Sequence, residues 1–207
     1  MDRKKRFLIA ILLLAALGSA SFAEGAGGLL FGMVQPGWNP GFMPAVPATQ
    51  PEFEYMGGYG YGVTRDDLII GGFGLAMLDY AIFDSASYQA ADRHIAGGAG
   101  GVILGSRIIG TGFLHLDVAA RLGLGGVAEA TKSLDNGLSS FTRKGYAIIY
   151  AEPYVELGVG LSRWMHLAAT LSYPFIGNFI PGKPFTSFLY YSPVLGVTMT
   201  FGDFRSF

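Results

Sequence analysis

The chain of 207 residues contains no cysteine. That excludes a disulfide framework, a thiol nucleophile, a cysteine-based metal site and a lipoprotein anchor. Charge is scarce, at 14% of residues, and there are only three histidines. Beyond the first residues, no stretch reaches the roughly 18 or more apolar residues of a membrane-spanning helix, because Asp, Glu, Arg or Pro keeps interrupting. A basic excess is missing as well. Without residues 1–23 the chain loses Arg3, Lys4, Lys5, Arg6 and Asp2, which leaves 10 basic against 14 acidic residues. A nucleic-acid partner would need a basic face, so none is expected.

What remains is apolar and rich in glycine: 51% hydrophobic residues, 32 glycines and a mean hydropathy of +0.40. Residues 1–23 read as a cleaved signal peptide. They hold a basic start, an uncharged apolar run from Phe7 to Leu17, and the small residues Ser21 and Ala23 flanking Phe22, which places cleavage after Ala23. Residues 24–207 read as one domain. An apolar exported chain without helical spans must still satisfy its backbone in lipid, and the other solution is a closed β-barrel.

Eight candidate strands follow: 27–34, 53–63, 68–80, 94–105, 110–128, 145–161, 165–176 and 188–201. Most reach the ~9–11 residues of a tilted membrane strand. The connections at 64–67, at Ser106-Arg107 and at 162–164 are tight, whereas 35–51, 81–93, 131–144 and 177–187 are long. With a periplasmic N-terminus, every long connection falls outside the cell. The expected fold is therefore all-β, an eight-stranded antiparallel up-and-down transmembrane barrel in the outer membrane.

The fifth candidate strand alternates with period two. Leu114, Leu116, Val118, Ala120, Leu122 and Leu124 share one face; His115, Asp117, Ala119, Arg121, Gly123 and Gly125 share the other. In the sixth, Ile149 to Leu161 alternate with Tyr150, Glu152, Tyr154, Glu156, Gly158 and Gly160. Small and charged residues suit the narrow interior of eight strands, so the aliphatic faces are assigned to lipid. In the second strand the reading puts Tyr55, Tyr59, Tyr61 and Val63 outward, with Glu54, Gly58, Gly60 and Gly62 inward. Pro153, Pro174 and Pro193 conflict with an unbroken ladder and are expected at bulges or a frayed extracellular rim. Trp164 and Phe201 are candidates for a periplasmic aromatic girdle. Tyr80, Tyr146, Tyr173, Phe175, Tyr190 and Tyr191 are candidates for an outer one.

The candidate site is the lumen. Arg121 is expected within a few residues of Glu152 and Glu156, with Asp117, His115 and His166 on the same face. A lone charge inside costs several kcal/mol unless paired, so the first reading is a structural ion-pair network. Its alternatives are a gated polar path or a binding site. No catalytic residue is assigned. His115-Leu116-Asp117 could form an acid–base pair, yet no spacing selects Ser172 or Ser192 as a nucleophile. Two inward histidines with acidic neighbours are a weak zinc pattern, and neither a metal nor a cofactor is expected. Runs such as Gly57-Gly58-Tyr59-Gly60 precede no helix and fail as phosphate loops. The proline-rich loop 35–51 favours extended backbone. It reads as a stiff surface loop, with Trp38 and Phe42 as candidates for a lid or for contact with an extracellular ligand.

Leu195, Val197, Met199 and Phe201 alternate near the end of the chain, which closes in Phe207. This resembles the C-terminal signal read by the outer-membrane assembly machinery. The alternation breaks at Gly202, leaving Phe201 and Phe207 as rival terminal residues. Nearly the whole of residues 24–207 resembles, at the level of architecture, the small eight-stranded outer-membrane barrels: the OmpA transmembrane domain, OmpX and the OmpW family. OmpA-type barrels imply an anchor with an ion-paired interior, and OmpW-type barrels imply passage of small hydrophobic molecules. The resemblance carries no functional residue. The readings in order are a non-enzymatic structural or surface-interaction barrel in outer-membrane lipid, a small channel or carrier, and a lipid-modifying enzyme.

Overall fold

The computed structural model describes residues 22–34, 54–78, 93–111, 113–135, 138–178, 188–191 and 193–203. Trp38, Phe42, Tyr80, Ser192, Phe207 and residues 1–21 lie outside these segments.

The described residues form ten strands: β1 (Phe22–Val34), β2 (Glu54–Thr64), β3 (Leu68–Leu78), β4 (Arg93–Gly110), β5 (Leu114–Asp135), β6 (Leu138–Ser162), β7 (Met165–Ser172), β8 (Phe175–Asn178), β9 (Phe188–Tyr191) and β10 (Val194–Asp203). All pairings are antiparallel, and neighbours in sequence pair from β1 to β7. Two pairs of strands are single staves interrupted by proline. Ser172 faces Tyr154 and Phe175 faces Ala151, so β7 and β8 keep one register against β6. Val194 faces Ser172 and Tyr191 faces Phe175, so β9 and β10 keep one register likewise. β10 returns to β1, pairing Val34 with Val194 and Gly25 with Asp203. The result is a closed eight-staved barrel, in which each stave has a partner on both sides.

Continuing these registers places Pro174 opposite Glu152, Pro153 opposite Tyr173, and Pro193 opposite Tyr173 from the other side. The three missing N–H donors therefore fall at one height. The Pro153 carbonyl still accepts the Tyr173 N–H at 3.0 Å.

Strand bounds differ from the sequence reading in informative ways. β1 runs for 13 residues, starting at Phe22 rather than Gly27. β4 continues through Ser106-Arg107, expected as a turn, and the connection falls instead at 111–113. Residues 131–144, expected as a long loop, are mostly strand, with Thr131 facing Thr142 and Asp135 facing Leu138. The sequence between them is Asn136-Gly137, a pair that suits a two-residue hairpin. One rim thus carries the tight turns, including Thr64–Asp67, where Asp67 takes φ 59° and its N–H reaches the Thr64 carbonyl. The connections β1–β2, β3–β4 and β8–β9, of 19, 14 and 9 residues, and the two-residue connection β5–β6 leave from the opposite ends of these strands.

Side chains sort by face. Leu29, Phe31, Val102, Leu104, Val118, Leu122, Leu124, Val155, Leu157, Leu195, Val197 and Met199 point out, at 38–66% exposure. Arg121, Glu152, His115 and Asp117 point in, all at 2% or less. An aliphatic exterior over a charged interior is the reverse of a soluble barrel. In hydrocarbon the same exterior leaves water, at about 25 cal/mol per Å² of apolar area. The geometry is that of a transmembrane barrel.

One face was misassigned. Tyr55, Tyr59, Tyr61 and Val63 are buried in the interior, at 3–9% exposure, and Met56, Gly58 and Gly60 face outward. A tyrosine buries a large ring and keeps a hydroxyl that needs a partner, and the partners are in the lumen. At the tight-turn rim Trp164 and Phe201 are both exposed and stacked, with centroids 6.1 Å apart. Tyr146 and Tyr173, expected in the outer girdle, are instead half-buried against the interior cluster and buried, respectively.

Candidate functional site

The lumen polar groups form two layers. The layer toward the long connections is built on Glu152 of β6, whose side chain is fully buried. Its Oε2 accepts from Arg121 Nη1 at 2.8 Å and from the Tyr150 hydroxyl at 2.7 Å. Its Oε1 accepts from the Tyr55 hydroxyl at 2.7 Å, and that hydroxyl lies 3.3 Å from Ser172 Oγ. Arg121 also sits 4.2 Å over the Tyr154 ring, a cation–π contact strengthened by desolvation. Three staves, β2, β5 and β6, thus meet at one carboxylate. Arg121 faces Glu152 directly across the β5–β6 seam, and Tyr55 reaches them from across the barrel.

The layer toward the tight turns is built on Asp117 and Glu156, which also face each other across that seam. Arg107 grips Asp117 with Nε on Oδ1 at 3.0 Å and Nη2 on Oδ2 at 3.3 Å. Glu156 Oε2 accepts from Thr198 at 2.9 Å and Thr170 at 3.2 Å. His115 Nε2 lies 3.5 Å from Glu156 Oε1 and 4.0 Å from Asp117 Oδ2. The other ring nitrogen of His115, Nδ1, lies 3.3 Å from His166 Nδ1, and the rings stack with centroids 5.2 Å apart. Beside them Tyr59 bonds Thr200 and stacks on Tyr61 at 5.9 Å.

Two glycines set the aim of these groups. A Cβ on Gly158 would collide with the His115 ring, and one on Gly32 would collide with the Tyr55 ring. Each aromatic side chain can cross the lumen because the stave beside it offers bare backbone.

All six residues singled out from sequence are therefore buried in the lumen, but they divide. Arg121 belongs with Glu152 alone. Glu156, expected near Arg121, is held by threonines and faces His115. Sequence reasoning missed Arg107, Tyr55, Thr198 and Thr200, and it placed Tyr150 and Tyr154 on the inward face without assigning them to the network. Arg107 was detectable: Ala99, Gly101, Ile103 and Gly105 share its phase, and period two carries that face on to residue 107. Ser172 stands by Tyr55. It lies six residues along β7 from His166, about 20 Å of strand, so the two cannot form a nucleophile–base pair.

No family model matches this chain, and no curated protein matches it. Several solved structures have a similar shape. Neisserial surface protein A superimposes with a TM-score of 0.47 at 11% identity, over 86% of this chain and 93% of that one. Ail, the attachment invasion locus protein of Yersinia pestis, gives 0.44 at 10% identity, over 86% and 96%. The N-terminal β-barrel domain of Pseudomonas aeruginosa OprF gives 0.39 at 13% identity, over 86% and 96%.

Proposed function

We propose that this protein is a non-enzymatic integral barrel of the outer membrane, closed to bulk flow, that serves as a rigid scaffold presenting its long connections at the cell surface. The observation carrying the reading is the Glu152 layer. Arg121, Tyr55 and Tyr150 converge on one buried carboxylate from several sides of a narrow lumen, and the Tyr55–Glu152 bond spans the path a solute would take. Beneath it, Arg107–Asp117 and the stacked histidines fill the next level. A conducting pore keeps its charges wet, whereas these are desolvated and paired. The aliphatic belt supports a place in lipid. The connections β2–β3, β4–β5 and β6–β7 are all short and leave from one rim, whereas β1–β2 and β3–β4 are joined by 19 and 14 residues at the other, which supports a periplasmic inner end.

Planar-bilayer recording tests the scaffold reading. The purified protein is expected to insert without steady current at neutral pH. A stable, sizeable conductance from the unmodified chain would overturn the closed-lumen reading in favour of a channel.

A further inference from the structure

The inner layer has a feature that a structural ion-pair plug does not require. Among the described lumen residues, Arg107 and Arg121 face three carboxylates, Asp117, Glu152 and Glu156, so the guanidinium groups fall one short. Glu156 is the carboxylate left over. Its Oε2 is held by Thr170 and Thr198, and its Oε1 is turned toward an imidazole nitrogen. Asp117 is gripped by Arg107 yet keeps Oδ2 within 4.0 Å of the same nitrogen. One donor atom from each of His115, Asp117 and Glu156 lies within 4.8 Å of the others, and all three residues are buried.

The geometry points to a divalent transition-metal site, with His115 Nε2, Glu156 Oε1 and Asp117 Oδ2 as ligands and zinc as the type of ion. Metal–nitrogen and metal–oxygen bonds of about 2.0–2.2 Å put neighbouring ligand atoms roughly 3.4 Å apart in a tetrahedron. The His115–Glu156 separation of 3.5 Å already meets that spacing, the His115–Asp117 separation is 4.0 Å, and all three ligand atoms lie within 4.8 Å of one another before an ion draws them together. An imidazole in the set selects against calcium and magnesium, which prefer oxygen alone.

The second shell fits as well. A metal-bound histidine usually donates its other N–H to a fixed acceptor, which settles the tautomer. His166 Nδ1 stands in that position against His115 Nδ1. With the proton on Nδ1, the Nε2 lone pair faces two acceptor-only carboxylates, an arrangement that a bound cation stabilises. Arg107 and the two threonines orient the carboxylates, and bare backbone at Gly158 admits the ring. His115 is the second residue of β5, so the site lies nearer the tight-turn rim than the Glu152 layer does.

The test uses the full chain without an affinity histidine tag, purified in detergent, stripped with chelator and titrated with ZnCl2 by calorimetry. Cobalt is added in parallel and followed by its visible bands. One equivalent of zinc is expected to bind. His115→Ala and Glu156→Gln should each weaken it roughly a hundredfold or more. His166→Gln should weaken it about 10–100-fold, the usual effect of losing an outer-shell partner, and Glu156→Asp should retain most of the affinity. Folding of each variant is checked by the gel mobility of the unheated barrel. Absence of binding below millimolar zinc would overturn the proposal. So would one bound equivalent indifferent to His115→Ala and Glu156→Gln, or a ¹⁵N spectrum showing His115 Nε2 protonated and unmoved by zinc.

Discussion

Breaking the Arg121–Glu152 pair is the most direct perturbation of the lumen. At 2.8 Å and an effective dielectric near 20, the gross attraction is about 6 kcal/mol. Taking both ions out of water costs several kcal/mol each, so the net worth of the intact pair is small. Losing one member is different. Arg121→Met leaves Glu152 fully buried with only the Tyr55 and Tyr150 hydroxyls. Glu152→Gln leaves Arg121 buried against the Tyr154 ring. Each single change should cost about 3–5 kcal/mol, and the double variant should recover much of that. The assay is equilibrium unfolding by denaturant in lipid vesicles, followed by tryptophan fluorescence and gel mobility. The coupling energy from the cycle is expected at or above about 2 kcal/mol. Single variants within 1 kcal/mol of the parent, or strictly additive losses, would refute the idea that the layer is dry and interdependent.

Other outcomes follow from the same geometry. Tyr55→Phe removes one donor to a buried carboxylate and should cost about 1.5–3 kcal/mol in the same unfolding assay. Gly158→Ala drives a methyl group into the His115 ring. It should cost about 1–3 kcal/mol by overpacking and abolish zinc binding while the Arg121–Glu152 coupling persists. Leu122→Arg places a cation on the lipid face and should cost about 2–4 kcal/mol, whereas Trp164→Arg at the rim should cost about 0–1. Equal costs at the two positions, read from vesicle unfolding, would contradict the assigned membrane belt.

The sequence made β5 and β6 legible because each carries two chemically distinct faces in strict alternation. Leucines oppose charges and glycines, and in a barrel this narrow only one assignment fits. It made β2 ambiguous, because tyrosine alternating with glycine suits either face. What turns Tyr55 inward is Glu152, 97 residues away, and no local pattern carries that information. Arg107 was lost because an arginine beside a serine looks like a turn, although the phase of Ile103 and Gly105 continued through it. The strands at 131–144 escaped notice because their polar composition reads as a loop. The division of the six lumen residues into two layers depended on register, and register came from the pairing of Asp117 with Glu156 and of Arg121 with Glu152.

The three prolines leave the wall with missing rungs at a single height, across two adjacent seams. Glu152 stands at that same height, opposite Pro174, and its carboxylate ties β2, β5 and β6 together through the middle. The barrel therefore behaves there as a hoop with a split and an internal spoke. Where the circumferential bonds are weakest, a radial side-chain strut carries the load. Cutting the strut should loosen β8 and β9 first, while the lower cylinder, whose pairing shifts only at bulges beside Glu24, Arg107 and Gly160, keeps its shape.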